Sequence, residues 1–202
     1  MDEFINASLF LFVLLNPFLM SVMLIDLLRE LSRGRFLRVL VRASLISGAV
    51  FSAFAVGGER LFDEVLQVEF EAFLVFGGII FLLVGLRMVT GGTDALRELR
   101  GPAEHMEGSV AMPFMIGPGT VSASVLAGSR LSAELSVLAV IAALAATIIG
   151  LMILKLVHDA VERTRANLID RYVEIVGRIS ALFVGTVAVE MIAKGVRAWL
   201  EG

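Results

Sequence analysis

The sequence predicts an all-α polytopic membrane protein with six transmembrane helices, arranged as two inverted three-helix repeats in which the first and fourth helices are broken. Three observations lead to this fold class. The 202 residues are 58% hydrophobic, with a mean hydropathy of +0.90, and the apolar residues form blocks near the length of about 20 residues that a helix needs to cross a bilayer. Basic residues are concentrated in alternate connections, and the two halves of the chain share a proline motif.

The apolar blocks define the elements in order. The predicted spans are residues 4–28, 39–56, 72–89, 109–127, 135–157 and 175–200. The sixth span contains Glu190 and Lys194, and Tyr172 and Trp199 near its two ends are typical of residues that anchor a helix at the membrane surface.

The charges of the connections predict the orientation. The first, third and fifth connections hold most of the basic residues: Arg29, Arg33, Arg35, Arg38, Arg42, Arg87, Arg97, Arg100, Lys155, Arg163, Arg165, Arg171 and Arg178. The positive-inside rule places these connections in the cytoplasm, so both termini of this cell-membrane protein are expected outside. His105 and His158 lie in or beside these connections and are expected to be solvated.

An internal repeat relates the two halves. The stretch LLNPFLMS at 14–21 matches MIGPGTVS at 115–122, which begins 101 residues later, and FGGIIFLLVG at 76–85 matches VGRISALFVG at 176–185. Small residues that we interpret as packing surfaces also recur: Ser44, Gly48 and Ser52, then Ala142, Ala146 and Gly150. Residues 1–202 are therefore expected to form a single transmembrane domain with one repeat at about 1–100 and another at about 101–202. Because each repeat has three spans, the second copy enters the membrane from the opposite face.

The proline motifs predict interruptions within two spans. Proline inside a helix removes a hydrogen bond and destabilises it by about 3 kcal/mol or more, and hydrocarbon offers no water to replace that bond. Asn16 is a good N-cap and Pro17 suits a first helical position, as do Gly117 and Pro118, with Gly119 expected to supply backbone freedom. The alternative interpretation is a simple proline kink at each site.

In the predicted orientation, the half-helices that follow the two breaks have N-termini that meet near the bilayer centre. Amide groups there carry partial positive charge, and the preceding half-helices bring carbonyl groups to the same region. This pattern suits a small zwitterion bound without charged side chains. The predicted substrate-binding residues are Asn16, Pro17, Phe18, Ser21, Gly117, Pro118, Gly119, Thr120 and Ser122.

These motifs resemble those of the MarC family of membrane proteins. MPFMIGPGTVS at 112–122 is similar to the second signature of that family, and NPF at 16–18 is similar to its first. The first signature departs at Leu19 and Val22, where the family usually has glycine and proline. The resemblance implies a six-helix transporter of small neutral amino acids such as glycine and alanine, coupled to a cation, H⁺ or Na⁺.

Other functions receive less support. Glu190 is a candidate for proton coupling because it lies within a span, but it is also placed to pair with Lys194 four residues later. An enzyme is not expected, because the sequence has no cysteine and no HExxH or GxSxG motif. We expect no metal site, no cofactor other than a coupling ion and no nucleic-acid partner. A channel, an exporter of other small polar solutes or drugs, and a structural membrane protein stay open as alternatives, and the sequence is compatible with a homo-oligomer.

Overall fold

The computed structural model describes residues 1–58, 60–91, 115–162 and 166–201. Within these ranges the chain is helical and contains no β-strand. Five segments are long and apolar enough to cross a membrane: Asp2–Met23, Arg33–Gly57, Phe70–Thr90, Ala133–Val161 and Ile175–Glu201. They confirm a polytopic membrane protein and correspond to five of the six predicted spans. Residues 109–114 of the fourth predicted span, 109–127, lie outside the described residues, so the fourth span and the inverted repeat stay predictions.

The described helices divide the predicted spans as follows. They are α1 (Asp2–Leu15), α2 (Pro17–Met23), α3 (Ile25–Glu30), α4 (Arg33–Gly57), α5 (Phe70–Gly91), α6 (Pro118–Arg130), α7 (Ala133–Glu162) and α8 (Ala166–Glu201), with a π-helical turn at Leu61–Leu66 between α4 and α5. The first predicted span thus contains α1, α2 and most of α3. The main cluster of buried apolar residues draws on α1 to α4, α6 and α7.

Phenylalanine side chains close the turn between α4 and α5. Phe62 in the π-helical turn is 1% exposed. Its ring centroid lies 5.3 Å from that of Phe54 and 5.0 Å from those of Phe70 and Phe73. Aromatic pairs at these separations stabilise packing beyond their buried area. The cluster therefore fixes the end of α4 against the start of α5.

Helices α5 and α8 pack against each other in antiparallel directions. A Cβ built on Gly78 would lie 2.6 Å from a side-chain atom of Ile192, and one built on Gly85 would lie 3.2 Å from the backbone nitrogen of Gly185. A later residue of α5 therefore contacts an earlier residue of α8. Gly85 and Gly185 are also the residues that the sequence alignment pairs, and the absence of a side chain at Gly85 lets the two backbones touch.

The buried faces of α4 and α7 repeat at an interval of 100 residues. The buried positions in α4 include Phe36, Leu40, Ala43, Ser47 and Phe51, and those in α7 include Ser136, Val140, Ala143, Thr147 and Leu151. The sequence comparison paired Ser44 with Ala142, an interval of 98, which differs from the burial register by two residues. Matching residues by size alone produced this error, because small residues are frequent on both helices.

One additional residue distinguishes the first interrupted span from the second. Pro17 and Pro118 are 101 residues apart, whereas Leu31 and Leu131, which follow α3 and α6, are 100 apart. The difference is absorbed at Leu24, where the backbone leaves helical geometry with φ −97° and ψ 17°. The amide of Leu24 still bonds the carbonyl of Met20 at 2.8 Å, so α2 and α3 form one kinked helix.

The contact between α4 and α6 gives a test of the packing. A Cβ built on Gly128 would collide with the carbonyl group of Ala55. We expect Gly128→Ala to lower the free energy of unfolding by about 1–3 kcal/mol, as overpacking usually does, and to lower the thermal unfolding temperature of the purified protein in detergent. Gly185→Ala is the matched control, because a Cβ at Gly185 has no heavy atom within 4 Å. An equal loss of stability in both variants would contradict the close contact.

Candidate functional site

The first break lies at Asn16, between α1 and α2. Asn16 has a left-handed backbone conformation, with φ 44° and ψ 78°, which asparagine adopts more readily than most residues. Its N–H donates to the carbonyl of Phe12 at 3.1 Å, and its Oδ1 accepts from the N–H of Leu19 at 3.1 Å. Asn16 therefore ends α1 and caps α2. The predicted N-cap, with Pro17 at the first helical position, is confirmed.

The second break lies at Gly117 and is held by the side chain of Thr120. The Thr120 hydroxyl accepts from the N–H of Gly117 at 3.0 Å and lies 2.9 Å from the carbonyl oxygens of Met115 and Gly117, to which its single proton can donate. Gly117 precedes Pro118, the first residue of α6, as predicted. Thr120 is 4% exposed, and its hydroxyl forms hydrogen bonds with backbone groups of the second break.

Both breaks line one cavity of about 250 Å³. Asn16 contributes from the first break, and Ile116, Gly117 and Pro118 contribute from the second. The remaining lining residues are apolar and come mainly from α1, α2, α5 and α8: Leu14, Leu15, Leu19, Met20, Met23, Ile80, Phe81, Val84, Phe183, Val184 and Val187. The cavity therefore has room for a small solute, and Asn16 supplies the polar side chain among the lining residues.

Backbone groups supply further polarity at the breaks. Proline has no N–H, and the next amides of each helix, those of Phe18, Gly119 and Thr120, have no carbonyl within their own helix to bond. The N-terminal ends of α2 and α6 consequently carry partial positive charge. The carbonyls at the end of α1 carry partial negative charge beside them. The site can thus interact with both ends of a zwitterion through dipoles.

Three other residues predicted at the site, Pro17, Phe18 and Ser122, are not among those that line the cavity. Pro17 is buried, and a Cβ built on Gly150 of α7 would lie 3.4 Å from it. Phe18 is 56% exposed and lines a groove beside α8. The hydroxyl of Ser122 donates to the carbonyl of Pro118 at 2.8 Å, within its own helix.

Gly119 has a different role from the predicted one. Its φ is not in the left-handed region, and it lies within the first turn of α6, so backbone freedom is not what it supplies. A Cβ built on Gly119 would lie 3.2 Å from the ring of Phe81. Glycine at this position therefore provides space for the phenylalanine that lines the cavity.

Sequence reasoning missed the walls of the cavity. Phe81 on α5 and Phe183 on α8 face the breaks from the other side. Both belong to the stretches that the repeat aligns, but they are ordinary apolar residues of membrane helices. The aligned stretches could have indicated which two helices meet, but not which of their side chains face the cavity.

An ion network around the buried Lys155 links α3, α4 and α7. Lys155 is 4% exposed. Its ammonium donates to the main-chain carbonyl of Leu28 and to Oδ1 of Asp159, the latter at 2.6 Å. The other carboxylate oxygen of Asp159 accepts from Nε of Arg33 at 2.8 Å. The sequence analysis counted Lys155 in the fifth connection, which is wrong because α7 continues to Glu162 and the side chain is buried against α3.

Ser21, Tyr172 and His158 line a second, smaller cavity of about 190 Å³. The Ser21 hydroxyl donates its proton to the carbonyl of Phe18 at 2.7 Å. The Tyr172 hydroxyl lies 3.0 Å from the Ser21 oxygen and therefore donates to it. Burial raises the pKa of Tyr172, although the bond to Ser21 opposes the shift. The expectation that His158 is solvated is wrong, because its side chain is 7% exposed on α7. The role of Tyr172 as an anchor at the membrane surface stays a prediction.

Glu190 lies on the outer face of α8. Its carboxylate is 3.2 Å from the ammonium of Lys194, and both side chains are more than half exposed. The pairing with Lys194 is therefore confirmed. Glu190 is not among the residues that line the cavity at the breaks.

These features define a polytopic membrane protein in which an interrupted helix and a second proline corner enclose one small cavity. A family description, MarC family integral membrane protein, matches residues 1–200, so the chain belongs to the MarC family. The resemblance inferred from the two signatures is thereby confirmed.

Relatives extend over nearly the whole chain. A UPF0056 membrane protein of Methanocaldococcus jannaschii is 28% identical over 210 residues, covering 99% of this chain and 98% of the relative. The UPF0056 inner membrane protein YhgN of Escherichia coli is 23% identical over 205 residues and covers 100% of both chains. No solved structure matches the chain.

The corner at Gly117 gives a second test. Thr120→Val keeps the shape of the side chain but removes the hydroxyl, leaving the amide of Gly117 and a buried carbonyl without a partner. Each such group destabilises the fold by about 1–3 kcal/mol, so we expect a clear fall in the thermal unfolding temperature. Ser122→Ala is the control, because its hydroxyl bonds only a carbonyl of its own helix, and it should change stability little. Equal stability of the two variants would contradict the role of Thr120.

Proposed function

We propose that the chain is a secondary transporter of small neutral amino acids such as glycine and alanine, in which the substrate binds in the cavity between the two breaks. The observation that carries this proposal is that Asn16 and Gly117 line the same small cavity although they are far apart in sequence. In membrane transporters, interrupted helices of this kind present their dipole ends to a substrate near the middle of the bilayer.

The polarity and size of the cavity support a neutral and small substrate. Among its described lining residues, none carries a charged side chain, so a solute with net charge would lack a partner in a site of low dielectric constant. A zwitterion instead gains from amide groups at its carboxylate and carbonyl groups at its ammonium. Leu19, where the MarC signature usually has glycine, projects into the cavity wall and reduces the room for a substrate side chain.

Several packing observations support an inverted repeat, which is part of the proposal. The antiparallel contact of α5 with α8 joins residues that the sequence alignment pairs, Gly85 and Gly185. The buried faces of α4 and α7 repeat at the same interval of 100 residues. Two halves related in this way can exchange conformations, which would open the site alternately to each side of the membrane.

The proposal includes a coupling cation, H⁺ or Na⁺, a location in the cell membrane with both termini outside, and no enzymatic activity. The basic first and fifth connections support the orientation. A structural membrane protein without transport activity is the principal competing interpretation, and measured flux separates the two.

Uptake of labelled alanine and glycine into proteoliposomes tests the function. We expect accumulation above protein-free vesicles when a proton or sodium gradient is imposed. Gly119→Val should abolish it, because the added side chain would push the Phe81 ring into the cavity, and Phe81→Ala in the same chain should restore part of the flux. Gly34→Val is the control, since a Cβ at Gly34 meets no atom within 4 Å. The absence of flux under every gradient would favour the structural role.

Glu190→Gln tests whether the exposed carboxylate takes part in coupling. Because Glu190 is paired with Lys194 on the surface of α8, and exposed pairs of this kind contribute only about 0.3–0.5 kcal/mol, we expect nearly normal uptake. Its dependence on external pH should also match that of the unaltered chain. Loss of the proton dependence in this variant would show that Glu190 is the coupling group.

A further inference from the structure

Lys155 is a charged side chain inside a segment that crosses the membrane. It lies on α7 within Ala133–Val161, and it is 4% exposed. Ionisable groups at such positions are energetically costly and are commonly functional in membrane proteins. The cavity at the breaks does not use Lys155, so its presence requires a separate explanation.

The partners of the Lys155 ammonium are the kind of oxygen atoms that bind cations. The Leu28 carbonyl is one of the last four of α3, which ends at Glu30, so its own helix offers it no donor and it carries the negative end of the helix dipole. Asp159 adds a carboxylate oxygen at 2.6 Å and is itself held by Arg33. Transporters coordinate small cations with carbonyls at the ends of interrupted helices.

The internal repeat gives an independent comparison. An interval of 100 residues relates Leu28 to Gly128 and Lys155 to Ala55. At that equivalent place α6 and α4 touch backbone to backbone, since a Cβ on Gly128 would collide with the Ala55 carbonyl. Between α3 and α7, an ammonium group occupies the space instead. The lysine therefore fills a gap that its counterpart does not have.

We propose that Leu28 and Asp159 form a binding site for a monovalent cation and that the ammonium of Lys155 is its built-in occupant. The tethered cation joins the half-helix that follows the first break to α7. The binding site itself does not depend on transport activity, whereas its role as a substitute for a coupling cation rests on the proposed function.

Replacement of the tethered ammonium by a free one tests the site. Lys155→Ala removes the three side-chain carbons beyond Cβ and the ammonium. Propylammonium has the same atoms and can take their place. We expect the variant to unfold at a lower temperature and to lose at least about tenfold in uptake, because the Leu28 carbonyl and one oxygen of Asp159 lose their charged partner, while Arg33 holds only the other oxygen. Propylammonium chloride should restore about half or more of both losses, in keeping with preferential binding of a ligand to the folded state. Choline chloride at the same ionic strength should restore neither.

Two further variants separate this site from a general salt effect. Lys155→Ala combined with Asp159→Asn should not respond to propylammonium, because the carboxylate is gone. Lys194→Ala should not respond either, although Lys194 also pairs with a carboxylate four residues away, because that pair is exposed. Equal recovery with choline, or recovery without the Asp159 carboxylate, would overturn the proposal. Recovered stability without any amino-acid flux would support the site and count against the transporter function.

Lys155→Cys provides a second route if the alanine variant does not fold. The chain has no cysteine, so the new thiol reacts alone. Aminoethylation restores a terminal ammonium, whereas carbamidomethylation adds an uncharged group of similar size. Recovery of the unfolding temperature with the first reagent only supports the cation site. Equal recovery with both reagents, or recovery with neither, overturns it.

Discussion

A break in a transmembrane helix depends on finding partners for the backbone groups that the break exposes, because hydrocarbon supplies none. In this protein two side chains meet part of that requirement. Asn16 accepts from the amide of Leu19, and Thr120 accepts from the amide of Gly117 and lies in contact with the carbonyl of Met115. Both side chains are short and polar, so each forms hydrogen bonds with backbone groups of its own break. The cavity and the proposed binding of a zwitterion depend on these local hydrogen bonds.

Close packing surrounds the two corners. Glycines on α5 let this helix approach the second break and α8, since a Cβ on Gly77 would collide with Pro118 and one on Gly85 would press on Gly185. At one end of the molecule, the ammonium of Lys155 joins α3 to α7. At the other end, a cleft of about 370 Å³ separates the start of α1 from the end of α6 and is lined by Glu3, Asn6 and Arg130.

Much of this arrangement could be predicted from the sequence, and particular residues show where prediction ended. Asn16 and Gly117 were identified as caps because the chemistry of a helix start is local. Gly119 was given the wrong role, since it is not among the residues that line the cavity and the ring of Phe81 that requires its small size comes from a distant helix. Lys155 and His158 were assigned to or beside a connection because charged and polar residues mark the end of a span. In the fold, Lys155 is buried and bonds α3, and His158 is buried and lines a cavity with Tyr172 of α8.

Protection of the cavity by a substrate is the most direct measurement of the central claim. Because the chain has no cysteine, Leu19→Cys places one thiol in the cavity wall, and Gly34→Cys places one on an exposed surface as a control. We predict that glycine or alanine slows alkylation of the purified Leu19→Cys variant by a small methanethiosulfonate reagent, with saturation as the amino acid is increased, and leaves the Gly34→Cys variant unaffected. An alkylation rate at Leu19→Cys that is the same with and without each amino acid would contradict binding between the two breaks.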